Sequence, residues 1–248
     1  MNRLENKTVV VTGGGRGIGR AGAVAMAAEG ATVAVVDLDA AAAESVVAEI
    51  EDAGGKARAW ATDITAPEQV ESTVAEVIAW GGQVDVLVHS AGIVAPAMLK
   101  DMTLDAFERV VKVNLTGTFV CLTALIPHWT ELGHGKFVAL TSPAAKRGQV
   151  GGGNYAAAKA GVVALVKTAA VELARHNITA NALLPIAATE MSANVRENPK
   201  LEEKFLGMIP LRRWAGPEEI APSLVFLASA DSDYMTGSVL SVDGGRTI

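Results

Sequence analysis

The stretch GGGNYAAAKAG, residues 151–161, sets Tyr155 four places before Lys159 among small residues. On a helix, positions i and i+4 share a face, with Cβ atoms about 5–6 Å apart. A free phenol has a pKa of roughly 10, too high to cycle near neutral pH, and a neighbouring cation favours its phenolate. Such a pair suits acid–base work on an oxygen whose charge changes. Alone, a Tyr-x-x-x-Lys is most often a half-buried Tyr beside a solvated Lys. Its meaning depends on what the rest of the chain builds around it.

A second stretch, VTGGGRGIGR, carries glycines at 13, 14, 15, 17 and 19. Where a strand turns into a helix, glycines let the backbone approach a pyrophosphate that the free N–H groups of the helix then hold. The next apolar run ends at Asp37, 18 residues past Gly19, close to the spacing of about 20 at which an acidic residue takes ribose hydroxyls. A carboxylate there accepts from the hydroxyls and repels a 2′-phosphate, so NAD(H) is favoured over NADP(H). Arg16 is the counterweight, because a cation in the turn could meet a 2′-phosphate. The carboxylate outranks it by sitting at the phosphate position itself.

These groups need a scaffold. Apolar, strand-like runs recur at 8–12, 32–37, 57–62, 84–90, 136–142, 178–184 and 238–242, and helical patterns occupy 16–29, 40–53, 67–80, 104–132, 154–175 and 217–227. Alternation of this kind predicts an α/β fold: a single doubly wound Rossmann domain over residues 1–248, with a mostly parallel seven-stranded sheet and helices on both faces. The connection 186–211 is weakly patterned and long, which marks it as a substrate lid.

Composition narrows the function. Of 248 residues, half are hydrophobic, and a net charge of −6 with scattered basic residues offers no footprint for nucleic acid. Cys121 is the only cysteine, and the four histidines are dispersed as surface or packing residues, so neither an internal disulfide nor a metal site is expected. No signal-peptide pattern opens the sequence and no run of about 18 uninterrupted apolar residues occurs. A cytoplasmic protein without a membrane span is the expectation.

With these motifs in order, the chain resembles the short-chain dehydrogenase/reductase family from Lys7 to about Gly245. TGGGRGIG (12–19) is similar to that family's T-G-x-x-x-G-x-G turn, which implies cofactor contacts from Gly13, Arg16, Gly17, Ile18 and Gly19. TDI (62–64) resembles the segment that touches adenine, with Asp63 on the exocyclic amine and Ile64 against the ring. HSAG (89–92) stands where the family usually has N-N-A-G, implying contacts from Ser90, Ala91 and Gly92. VNLTG supplies Asn114 and LTS supplies Ser142, 13 residues before Tyr155. The resemblance implies a catalytic set of Asn114, Ser142, Tyr155 and Lys159. Ser142 orients the carbonyl and Tyr155 exchanges the proton. Lys159 holds the nicotinamide ribose and lowers the phenol pKa, and Asn114 positions a water to solvent. LLPIAATEM lacks the usual glycine after Pro185, yet Pro185 and Thr189 still align with the carboxamide-binding segment.

The implied activity is NAD(H)-linked interconversion of a secondary alcohol and a ketone. Reduction of a 3-oxoacyl thioester, carried on an acyl carrier protein or coenzyme A, is the alternative. A catalytically silent dinucleotide sensor ranks third, because a sensor needs no proton relay. Segments 94–98, 143–150 and 186–211 are expected to wall the substrate pocket, with Arg147 and Gln149 as its polar contacts. The resemblance further suggests a homotetramer joined through helices 104–132 and 154–175.

Overall fold

The computed structural model describes residues 2–248. In chain order its elements are β1 (Thr8–Thr12), α1 (Gly17–Ala28), β2 (Thr32–Asp37), α2 (Ala40–Asp52), β3 (Lys56–Ala61), α3 (Pro67–Gly81), β4 (Val86–His89), α4 (Leu104–Val111), a π turn (Lys112–Thr116) and α5 (Gly117–Leu132). There follow β5 (Gly135–Leu140), α6 (Ala144–Arg147), α7 (Gly153–Leu173), β6 (Ile178–Pro185), α8 (Ala193–Arg196), α9 (Pro199–Gly207), α10 (Pro217–Ala228) and β7 (Val239–Val242). The sheet runs β3-β2-β1-β4-β5-β6-β7. Every pairing is parallel, where the sequence predicted a mostly parallel sheet. The order reverses between β1 and β4, which opens a crevice at the carboxyl edge of the strands.

Alternation along the strands explains why both faces are covered. Val9, Val11, Val33, Val35, Val86 and Val88 point into one core with α1 and α10, while Val10, Ala34, Val36, Leu87, Phe137 and Ala139 point into another with α5 and α7. Small residues bring the layers close: a Cβ on Gly22 of α1 would lie 2.7 Å from Leu224 of α10.

Two expectations need correction. The stretch Leu104–Leu132 is not one regular helix, because Asn114 donates to Val110 O at 3.0 Å and Thr118 donates to Asn114 O at 2.7 Å. Side chains thus take up carbonyls around an inserted residue, the usual condition for a π turn. By length and hydropathy this stretch could cross a membrane. Its Cys121, Leu122, Leu125 and Trp129 are instead buried beneath the sheet. The connection 186–211 is also more ordered than its pattern suggested. It contains a 3-10 turn at Glu190–Ser192, then α8 and α9, the last opened by Asn198, which accepts from Leu201 N, and by Pro199.

At the amino edge of the strands a single carboxylate takes four partners and ties its own segment to two others. Asp85 accepts from Thr8 N at 2.8 Å, Lys7 Nζ at 2.9 Å and Gln83 Nε2 at 2.8 Å, and bonds His134 Nε2 at 2.9 Å. Burial pushes its pKa up, but the bonds from Thr8, His134, Lys7 and Gln83 outweigh burial and hold it below the usual range. A depressed folded pKa stabilises the fold above the unfolded value of about 4, and that stability is lost as pH falls through the folded pKa. Asp85→Asn should therefore cost about 2 kcal/mol at pH 7 and flatten the acid limb of stability against pH. Urea unfolding between pH 3 and pH 7, taken as about the working range, checks both; an unchanged acid limb would refute the assignment.

Candidate active site

The crevice collects the residues predicted from the motifs. Gly13 and Gly17 have φ of 63° and 53°, the left-handed region that glycine adopts without strain. A Cβ on Gly13 would fall 2.6 Å from the Ala91 backbone, and one on Gly19 would strike the Gly13 carbonyl. Ser90 N donates to Thr12 O at 3.0 Å. The 90–92 segment is thus laid directly against the glycine turn. Arg16 is the N-cap of α1 but makes no side-chain cap, and no acidic residue occupies the first turn, which Ile18 lines. Free N–H groups at a helix N-terminus are a ready anion site. This cradle fits the pyrophosphate of a dinucleotide.

At the adenosine end, Asp37 Oδ2 accepts from Gly15 N at 3.0 Å and Oδ1 from Asp39 N at 3.0 Å. Both oxygens keep a lone pair for ribose hydroxyls. Asp63 caps a turn by accepting from Thr65 N at 2.8 Å, and that backbone bond holds its pKa low. Ile64 corrects an expectation. It is 7% exposed and turned into the core, where Gly117 makes room for it: a Cβ there would be 2.7 Å from Ile64 Cδ1. Its side chain serves packing first and leaves little surface for an adenine ring.

The four catalytic candidates converge. Ser142 follows the end of β5 and hydrogen-bonds the Tyr155 phenol. Lys159 Nζ lies 5.8 Å from the Tyr155 ring centroid and donates to Leu140 O at 2.8 Å. Asn114, held by the π turn, donates to Ile93 O at 2.9 Å. Its Oδ1 is buried without a partner, and both that atom and Lys159 Nζ lie against Gly92. An orphaned buried acceptor beside an ammonium is the kind of place an ordered water fills.

The electrostatics differ from expectation. Lys159 was expected to lower the phenol pKa, but burial pushes Tyr155 up, and the opposing influence is the Ser142 hydrogen bond. Lys159 is itself pushed down to about 8 by burial. Desolvation penalises the charged form of each group, and the ammonium is aimed at a carbonyl instead of at the phenol oxygen. His89, at the end of β4, is also buried. Its Nδ1 bonds Thr12 Oγ1 at 2.9 Å, Nε2 has no partner, and burial followed by the charge of Lys159 brings its pKa down to about 3. It is a neutral tie between β4 and β1.

Sequence reasoning missed Asn154. Buried at the start of α7, it donates to Ala95 O at 2.9 Å and Ala106 O at 3.2 Å and accepts from Tyr155 N at 2.8 Å. It fixes the backbone that presents the phenol, and a polar residue next to Tyr155 at a helix start was the available signal. Pro185 ends β6, and the Thr189 methyl reaches back to the glycine turn, 3.3 Å from a Cβ placed on Gly17. Ala97 N donates to Gly151 O at 2.9 Å, which sets the segment 94–98 beside the turn that leads into α7. Arg147, expected as a polar substrate contact, is tied to Arg246 O at 2.7 Å. Among the described residues no group of three His, Cys, Asp or Glu side chains is placed to hold a metal.

Residues 13–247 match the family model described as Enoyl-(Acyl carrier protein) reductase. A solved short-chain type dehydrogenase/reductase from Mycobacterium marinum is 36% identical, with a TM-score of 0.93 over 98% of this chain and 96% of that one. The chain belongs to the short-chain dehydrogenase/reductase family. It is an oxidoreductase of that family's fold and binds a nicotinamide dinucleotide as the family does. The 3-oxoacyl-[acyl-carrier-protein] reductase of Thermotoga maritima is 39% identical over 99% of this chain and all of that protein. The (3R)-3-hydroxyacyl-CoA dehydrogenase of Mus musculus is 40% identical, over 98% of this chain and 97% of that one. Among solved structures, a gluconate 5-dehydrogenase from Burkholderia cenocepacia, in complex with NADP and tartrate, is 32% identical, with a TM-score of 0.95 over 99% and 97% of the two chains.

Proposed function

We propose that this short-chain dehydrogenase/reductase interconverts a secondary alcohol and a ketone with NAD(H), and that Tyr155 moves the proton. The observation that carries the reading is the convergence of Ser142, Tyr155, Lys159 and the orphaned Asn114 Oδ1 at the crevice edge. A bound nicotinamide supplies the hydride. Gly13, Gly17, Gly19 and the α1 N-terminus hold the pyrophosphate, and Asp37 accepts from the ribose hydroxyls. Ser142 donates to the substrate oxygen and orients it. Tyr155 gives its proton to that oxygen during reduction and takes it back during oxidation. Lys159, brought down to about 8 by burial, gives a proton back toward the phenolate when its ammonium turns from Leu140 O, and takes one in its place from a water held by Asn114.

NAD(H) is preferred for two reasons: Asp37 stands at the ribose, and Arg16 is already paired with Asp39 and with Glu190. Isothermal titration tests this directly. NADH should bind at least tenfold tighter than NADPH, a difference of about 1.4 kcal/mol. Tighter binding of NADPH would sink the cofactor assignment.

The second reading narrows the substrate to a 3-oxoacyl or 3-hydroxyacyl thioester. The printed names of the Thermotoga and mouse relatives favour it. So do the exposed apolar residues Val94, Met98, Val150, Met191 and Met208 on the expected pocket walls and on the lid 186–211. Turnover of acetoacetyl-CoA against a panel of simple ketones separates the two readings. Phe119 of α5 and Val171 of α7 are exposed apolar residues on the helices expected to pair in a homotetramer.

A further inference from the structure

The glycine turn and the lid meet at an ion pair that the proposed reaction does not use. Arg16 Nη1 lies 3.3 Å from Glu190 Oε2, while Nη2 bonds the Asp39 carboxylate. Asp39 is fixed, since it caps α2 by accepting from Ala42 N at 3.2 Å. Glu190 opens the 3-10 turn of the lid and its side chain is 78% exposed. The residue before Arg16 donates its N–H to Asp37. Two carboxylates, from the cap of α2 and the lid, therefore hold one guanidinium, and Asp37 at the end of β2 is bound to the backbone of the same turn, in the corner where the cofactor reading places the adenosine 2′ position.

We propose that Glu190 is a specificity-determining residue: reaching from the lid, it shares Arg16 with Asp39 and withholds the guanidinium from a 2′-phosphate. The inference rests on the cofactor site assigned above. A free arginine in this turn would be a good phosphate ligand, because its planar fork matches phosphate oxygens two at a time. To serve one here, Arg16 must leave both carboxylates. The incoming phosphate, itself carrying about two negative charges, then meets three more. A ribose hydroxyl meets no such penalty, since it is neutral and donates to Asp37. Exposed pairs of this kind contribute little to stability, so Glu190 acts on ligand choice. Because its carboxylate belongs to the lid, discrimination sharpens as the lid settles on the turn. By linkage, NADH then holds the lid more firmly than NADPH does.

The test is a titration of wild type, Glu190→Gln, Glu190→Asp and the double variant Asp39→Asn/Glu190→Gln. The ligands are NADH, NADPH, adenosine 5′-monophosphate and adenosine 2′,5′-bisphosphate, the last two probing the corner without the nicotinamide. Glu190→Gln should tighten NADPH and the bisphosphate by about five- to tenfold and change NADH and the monophosphate by less than about twofold. The double variant should gain about thirtyfold or more, Glu190→Asp should keep wild-type selectivity, and high salt should shrink every difference. Equal shifts for phosphorylated and unphosphorylated ligands, or none, would overturn the proposal. A wild type that prefers NADPH defeats the cofactor reading instead, and the Glu190→Gln ratio of bisphosphate to monophosphate still decides the role of Glu190.

Discussion

Tyr155→Phe should lower kcat about a thousandfold while leaving the Kd for NADH within about threefold. The substitution removes one oxygen and keeps the ring, so the face against Lys159 stays filled. Ser142 can still polarise a carbonyl, but no other acid reaches the same oxygen. Steady-state kinetics beside NADH titration check the prediction, and retention of more than about a tenth of the activity would remove Tyr155 from the proton transfer. The pH dependence has a defined sign. Burial raises the Tyr155 pKa and the Ser142 hydrogen bond lowers it. Oxidation needs the phenolate, so its rate should rise with pH. Ser142→Ala should push that rise to still higher pH as well as slow the reaction.

Trp129→Ala should destabilise the fold by about 3–5 kcal/mol, the range for truncating a buried aromatic. Trp129 is fully buried, its Nε1 donates to Val84 O at 2.9 Å, and its ring fills the space beside Gly135. The neighbouring His128 accepts from Val84 N at 3.0 Å, so α5 takes both backbone groups of one residue just before β4. Truncation leaves a cavity and orphans a carbonyl together, and the two costs add. Chemical denaturation measures the loss, and a change below about 1 kcal/mol would show that the amino edge holds without this anchor. Trp129→Phe, which keeps most of the volume and drops the donor, separates packing from hydrogen bonding.

Much of this was legible in the sequence. All seven strands fall where the apolar runs placed them, within two residues; central strands such as β1, β2 and β4, buried on both faces, are written as near-continuous Val, Ile and Leu, whereas the edge strand β3 shows itself by alternation of exposed and buried residues. The glycine turn was equally plain, since Gly13, Gly17 and Gly19 answer to backbone geometry that another residue would violate. Short-range pattern did not reveal the π turn at 112–116, which comes from the Asn114 and Thr118 side chains competing for carbonyls and leaves hydropathy unbroken. Nor did it reveal α8 and α9, whose polar faces blur the helical period. The phenol–lysine electrostatics were misjudged for another reason. Spacing brought Tyr155 and Lys159 together correctly, but burial depth and the aim of the ammonium at Leu140 O belong to the assembled fold. The partners of Arg16 are similar: Glu190 is 174 residues away in sequence, and only the folded chain makes them neighbours.

The wholly parallel sheet has one more consequence. Every strand starts at one pole and finishes at the other, so the glycine turn, the cluster of Ser142, Tyr155 and Lys159 and the connection 186–211 gather at the finishing pole, while Asp85, His128 and Trp129 brace the starting pole. Substitutions that retune ligand or substrate choice act far from the groups that resist acid and denaturant. A lineage built on this plan can exchange one chemistry for another without weakening its foundations, and the braces can be reinforced without touching the reaction.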